Sequence, residues 1–247
     1  MAAADTAFEE HVKQLLINHK GTRIYRFEYQ GQYFWLKQPE QLHGIWKLLK
    51  PHPKMSFQKE IQTLQYFASV NAPVPKLILY DKDFLVLNDA GRSAIAWIED
   101  LTVLDSLKHT ILSDCIKALI ALHQKDLIHG RPALRDMTWR DGKVKFLDFE
   151  AHVYRKQKLT WDKARDILIF LHGVCRSKTI SNQEVQQIIQ LYIELGNVSV
   201  WHLVCETLRK YRFIYYLLLL FKPIAKTDLI AIYRLFENMS TQLKEGK

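Results

Sequence analysis

The hydrophobic pattern of this chain changes period once, near Asn88-Asp89-Ala90-Gly91, and that change limits what the chain can fold into. Before it, apolar residues come mainly in short β-type runs. Thr22 to Tyr29 and Gln32 to Lys37 flank the tight turn Gln30-Gly31, a hairpin signature. Lys76 to Tyr80 and Phe84 to Leu87 flank the turn Asp81-Lys82-Asp83. One helix interrupts the strands: Phe57, Ile61, Leu64 and Phe67 recur at helical intervals, which predicts a helix over 57–70 with Ser56 as its N-cap. The stretch from Gln41 to Pro53 is basic and irregular, with Pro51 and Pro53 opposing a regular helix there. After Gly91 the period is mainly helical, with helices over 113–124, 162–174, 182–195, 200–221 and 226–242. Strands first and helices after define an α+β chain of two lobes, a β-rich one at 1–90 and a helical one at 91–247, hinged at Asn88–Gly91.

Composition excludes several classes. With 247 residues, 48% of them hydrophobic and 25% charged, the chain can bury a sizeable core and is not intrinsically disordered. A net charge of +9 favours an anionic partner without choosing among nucleotide, phosphorylated sugar, nucleic acid or membrane surface. No nucleic-acid-binding motif accompanies the charge, so a nucleic-acid partner is set aside. Cys115, Cys175 and Cys205 are far apart in apolar contexts, which reads as buried thiols in a reducing, cytoplasmic compartment rather than disulfides or a zinc site. The opening MAAADTAFEE has no basic region followed by an apolar one, so it is not a secretory signal. The longest apolar run, Phe213 to Phe221, is too short to span a bilayer and reads first as a core helix. Its flanking Arg209, Lys210, Arg212, Lys222 and Lys226 leave open a peripheral contact with the anionic inner membrane.

The chemistry concentrates in 128–150, IHGRPALRDMTWRDGKVKFLDFE: a histidine turn, a charged loop, a short strand at Val144 to Leu147, then Asp148-Phe149-Glu150. This segment resembles the catalytic loop and metal-binding motif of the protein-kinase-like superfamily. Among its members the chain is most similar in style to bacterial lipopolysaccharide kinases, which act on 3-deoxy-D-manno-octulosonic acid or heptose, and to aminoglycoside-phosphotransferase relatives. The resemblance covers roughly residues 15 to 175. It implies a small β-rich N-lobe, a helical C-lobe, and ATP with Mg²⁺ as cofactors.

The resemblance also implies roles. Lys37, at a strand end, would grip the α- and β-phosphates as a point charge. Glu60, on the helix that follows, would pair with Lys37 and fix it. His129 would brace the loop backbone rather than act as a base. Asp136, seven residues beyond His129, stands where the family has a metal-binding asparagine, and a carboxylate is an equally hard ligand. Asp148 would be the principal Mg²⁺ ligand, while Glu150 would add a carboxylate or cap the next turn. Asp166 would prop the catalytic loop or, as an ordinary surface residue, pair with Arg165 or Lys163. No G-x-G-x-x-G is present; Gly21 alone could shape a tight β1–β2 turn near phosphates.

The main departure is Arg131, which stands where the family has a catalytic aspartate. A guanidinium stays protonated and cannot serve as a base. Three readings remain: an active phosphotransferase in which Asp136 takes the base's place and Arg131 clamps phosphate, a pseudokinase that binds nucleotide without turnover, or another transfer from ATP. Only about ten residues separate Glu150 from Trp161, which favours a small-molecule or glycolipid acceptor over a protein. Lys47, Lys50 and Lys54 would suit an anionic acceptor.

Overall fold

The computed structural model describes residues 6–41, 53–149 and 158–244. Glu150, the stretch from 42 to 52 with Lys47 and Lys50, and the connection over 150–157 lie outside the described residues. The chain divides into two units: residues up to Ala90 together with 147–149, and Gly91–Phe146 together with residues from 158 onward.

The first unit is an antiparallel sheet with a helix before it and a second helix inserted in it. Its elements are α1 (Thr6–Asn18), β1 (Ile24–Tyr29), β2 (Gln32–Lys37), α2 (Pro53–Ser69), β3 (Leu77–Asp81) and β4 (Phe84–Asn88), with strand order β1-β2-β4-β3. β2 is central, so its alternation sorts side chains to two faces. Phe34 and Leu36 pack with Phe27 and Val86 against Phe8 and Val12 of α1. The Phe8 and Phe34 rings lie 5.1 Å apart. Lys37, Trp35 and Tyr33 take the other face. Phe8, Val12, Leu15 and Leu16 already have helical spacing in the sequence, so α1 was legible there and was not among the predicted helices.

α2 begins at Pro53, not at Phe57. Ser56 is therefore inside the helix and does not cap it. Proline suits the first helical turn, where its missing N–H has no partner to lose. The α2 residues Phe57, Glu60, Ile61, Leu64 and Phe67 are all buried, and Glu60 is the one charge among them.

The second unit opens with β5 (Arg92–Ser93), α3 (Ala94–Glu99) and α4 (Asp105–Gln124). A 3-10 turn at Leu134–Asp136 leads into β6 (Met137–Arg140) and β7 (Lys143–Phe146), which form a three-stranded sheet with β5. Five helical elements follow: α5 (Leu159–Arg176), α6 (Asn182–Leu195), α7 (Val198–Lys210), α8 (Arg212–Leu218) with a 3-10 extension at Leu219–Ile224, and α9 (Thr227–Asn238). α6 carries a full capping box, Ser181 with Glu184. Arg234 of α9 ties the α5–α6 junction by donating to the carbonyls of Cys175, Ser177 and Ile180.

A small antiparallel sheet with its helices, followed by a mainly helical unit, is the α+β order expected from the sequence. The unit boundary falls between Ala90 and Gly91. Gly91 has φ of +105°, and a Cβ there would sit 3.1 Å from Arg140 Cβ and 3.2 Å from the Trp139 carbonyl, so only glycine fits.

Two expectations need correction. Val200–Phe221 is not one helix: α7 ends at Lys210, and the chain restarts at Arg212. Nor is Phe213–Phe221 a core helix, because neither α8 nor its 3-10 extension contains a buried residue. The run is apolar, and among the described residues it meets α7 and also α9, where Tyr215 stacks on Phe236 with ring centroids 4.9 Å apart.

Candidate active site

In the first unit, the end of β2 brings Lys37 against the middle of α2. The Lys37 ammonium donates to both Glu60 oxygens, at 2.8 and 2.6 Å. Asp148 Oδ1 lies 3.3 Å from the same nitrogen. The side chains of Lys37 and Glu60 are 10% and 2% exposed, and that of Asp148 is 24% exposed. Of the two carboxylates, Asp148 is the more exposed and so the better placed to meet a further cation. A hard oxygen donor of this kind fits a divalent ion such as Mg²⁺.

Two local features aim Asp148. Its φ is +61°, a left-handed turn directly after β7. Aspartate tolerates this conformation better than most side chains. The next residue, Phe149, is fully buried and meets Phe67 of α2 edge-on at 4.9 Å. The aromatic anchor and the carboxylate thus report on the same helix, α2, that supplies Glu60. Beside Lys37 the outer face of the sheet stays partly open: Ile24, paired across the ladder with Lys37, is 49% exposed, and Trp35 is 37% exposed.

Gly21 is not in the β1–β2 turn. It follows α1 with φ of +87° and serves the connection from α1 to β1. The β1–β2 turn is Gln30-Gly31, with φ of 49° and 74°, a two-residue turn with both central residues left-handed. Such a turn is fixed by the strand twist and leaves no spare loop to drape over phosphates.

In the second unit, Asp166 organises the histidine loop. It is fully buried on α5 and accepts from the backbone N–H of His129 at 2.7 Å and of Gly130 at 2.9 Å. His123 Nε2 lies 3.3 Å from the same carboxylate. The reading of Asp166 as a surface residue is therefore wrong, and the loop-propping reading is right. Arg165 supports the loop from the other side by donating to the Gly130 carbonyl at 3.3 Å. His129, 1% exposed, accepts the Arg131 N–H at Nδ1 and packs edge-on against Phe146. It is held as a brace in the backbone, with no geometry of a solvent-facing base.

Asp136, 7% exposed, closes the 3-10 turn. Arg131 Nη2 and Arg135 Nε each lie 3.7 Å from its carboxylate, long ion pairs rather than hydrogen bonds. Two guanidinium groups against one carboxylate leave this loop with a net positive charge. Asp136 and Asp148, expected to share one cation, belong to different units. Among the described residues no group of three or more His, Cys, Asp or Glu side chains is gathered as a metal site.

The β6–β7 pairing that follows this loop was not predicted as a hairpin, although the strand at Val144 to Leu147 was. Its signal was present: Asp141-Gly142, with φ of 50° and 75°, is a strong hairpin dipeptide between alternating residues.

The first unit thus holds a strand lysine locked to a helix glutamate, with a carboxylate–phenylalanine pair packed on the same helix, and the second holds a histidine loop hung from a buried aspartate. The chain belongs to the same family as a protein of Haemophilus influenzae described as an uncharacterized protein, with which it is 47% identical over 230 residues, 93% of this chain and 95% of that one. No protein-family model matches the chain. A solved structure, the gentamicin–APH(2″)-IIa complex, is similar over 96% of this chain and 97% of its own at 11% identity and a TM-score of 0.47, too low a likeness to bear on activity.

Proposed function

We propose that the chain is an ATP- and Mg²⁺-dependent phosphotransferase that phosphorylates a hydroxyl of a small or lipid-linked sugar, of the lipopolysaccharide-core kind. The observation that carries this reading is the Lys37 ammonium held between the buried Glu60 and the part-exposed Asp148. Lys37 positions the nucleotide phosphates and Glu60 fixes its rotamer. Asp148 offers the open carboxylate to the metal. The part-open sheet face with Ile24 and Trp35 offers flat apolar surface for a base. Gly21 is withdrawn from the phosphate-binding set.

Arg131 does not act as a base. Phosphoryl transfer rests mainly on positioning and charge neutralisation, and an aspartate need contribute little as a proton acceptor in a loose transition state. Asp136 orients the acceptor hydroxyl or holds a second metal contact, and Arg131 with Arg135 neutralises phosphoryl or acceptor charge. The bound Mg²⁺ would supply charge neutralisation on the β- and γ-phosphates.

The second reading is a nucleotide-binding module without turnover. It is favoured by one observation: Asp136 is already matched by Arg131 and Arg135. One experiment separates the two. Purified protein is incubated with γ-labelled ATP, Mg²⁺ and lipid-A-core acceptors, beside Asp148→Ala and Arg131→Asp. The phosphotransferase reading expects label on the acceptor, lost in Asp148→Ala. No label, with Mg²⁺-dependent stabilisation by ATP, establishes the module. No label and no ATP effect removes both readings.

A further inference from the structure

The apolar run Phe213–Ile224 has its exposed side chains at one helical spacing. Phe213, Tyr216, Leu217, Leu220, Phe221 and Ile224 fall at i, i+3, i+4, i+7, i+8 and i+11, and they are 65%, 53%, 58%, 75%, 48% and 76% exposed. This is the stripe that an amphipathic helix normally buries. Here it is turned outward, because Tyr215 and its neighbours take the side that meets α9. The Tyr233 hydroxyl of α9 fixes that side by donating to the Leu218 carbonyl. At about 200 Å² per fully exposed large side chain, the stripe leaves roughly 700 Å² uncovered, more than a soluble monomer usually shows as one patch.

Charge identifies what covers it. Between Glu206 and Asp228 the chain has five cations, Arg209, Lys210, Arg212, Lys222 and Lys226, and no acid. Lys210, Lys222 and Lys226 are exposed. Arg212 lies over the Tyr216 ring at 5.5 Å and Lys210 near the Tyr211 ring at 5.7 Å, so cations and aromatic rings alternate along the rim. Among the described residues, Lys222 is the one of these cations with a carboxylate in reach, Glu237 at 3.2 Å. A second copy of the chain on a two-fold axis would set these cations against themselves. A leaflet of anionic phospholipid answers them, and its interface also suits Tyr and Phe. Among the described residues no helix is long and apolar enough to cross a membrane, so the segment would rest on the surface without spanning it.

We infer that residues 211–226 form a docking surface for an anionic phospholipid bilayer. The stripe inserts at the level of the headgroups while the lysines and arginines meet lipid phosphates. This holds whether or not the chain transfers phosphate, and it is measured without nucleotide. The test is co-sedimentation with vesicles of phosphatidylcholine alone and of phosphatidylcholine with phosphatidylglycerol, at low and high salt, with hydrogen exchange on the same samples.

Binding is expected only to the anionic vesicles. It should weaken with salt, and new exchange protection should be confined to 211–226. Lys210→Gln and Lys226→Gln should each lower the partition coefficient about fivefold, and Leu220→Glu by more than tenfold. All three positions are exposed, so unchanged thermal midpoints confirm folding. Should Leu220→Glu misfold, Phe213→Ser gives the same reading. Failure to bind anionic vesicles, binding untouched by these substitutions, or a concentration-dependent dimer that Leu220→Glu dissociates would each overturn the inference.

Discussion

Glu60 is the residue whose removal tests the site most directly. Its two oxygens take two of the three Lys37 protons, at 2.8 and 2.6 Å, in a place where its own side chain is 2% exposed. At about 3 Å and an effective dielectric near 20, the Coulomb attraction is about 5 kcal/mol. Glu60→Ala removes both of these contacts and leaves the longer one to Asp148, at 3.3 Å and partly solvated. Truncating one partner of a buried pair costs about 3–5 kcal/mol, because the other charge stays buried. In a chain of this size that lowers the thermal midpoint by about 6–20 °C. Lys37→Met should cost a similar amount, because it leaves Glu60 charged and buried. Lys37→Met with Glu60→Ala removes both charges and should cost well under the sum of the single changes, a coupling of about 2 kcal/mol or more. Lys54–Asp83 is the control: a 2.9 Å pair whose side chains are 74% and 46% exposed, worth less than about 1 kcal/mol. Urea unfolding of the four proteins measures the cycle. Additive single changes, or single changes no larger than the control, would refute the claim that this pair is a buried, coupled unit.

Two further outcomes follow from burial elsewhere. Asp166→Ala strands the N–H groups of His129 and Gly130 and should cost about 2–5 kcal/mol; Asp166→Asn, which keeps one acceptor oxygen, should recover part of that, and equal losses in urea unfolding would refute the two-acceptor geometry. Burial raises all three thiols, most surely Cys115 and Cys175, the latter to about 12 from an ordinary 9.0. The folded state therefore keeps a proton that the unfolded chain gives up, so stability is intact below pH 9 and falls as pH rises towards 12. The slope should reach about 1.4 kcal/mol per pH unit for each buried thiol. Native protein should react slowly with a thiol reagent at pH 8 and show three thiols when unfolded; fast reaction of the folded protein would contradict the burial.

The sequence was most legible where one residue type had one structural use. The β1–β2 hairpin was readable from Gln30-Gly31, and Glu60 could be placed on the packed face of α2 because the helix phase sets it alongside Phe57 and Leu64. It was least legible where a local rule met a tertiary one. Ser56 has the chemistry of an N-cap, yet Pro53 starts the helix a turn earlier. Asp166 carries the same letters as a surface aspartate beside Arg165, and only its distance to the loop N–H groups separates the two uses. The apolar run from Phe213 was read as core because hydrophobicity was taken as evidence of burial. Burial also needs packing partners all round, and neither α8 nor its 3-10 extension holds a buried residue.

Charge accounting bears on the functional question that Arg131 raises. Lys37 has two carboxylates against it, Glu60 and Asp148, and Asp148 is the more exposed of the two. Asp136 has two guanidinium groups against it, Arg131 and Arg135. Under the proposed function a metal cation suits the Asp148 carboxylate, and a phosphate or acidic acceptor suits Arg131 and Arg135. Arg131→Asp should then weaken the response to ATP more than the response to Mg²⁺ alone, and equal losses in both would refute that division of roles.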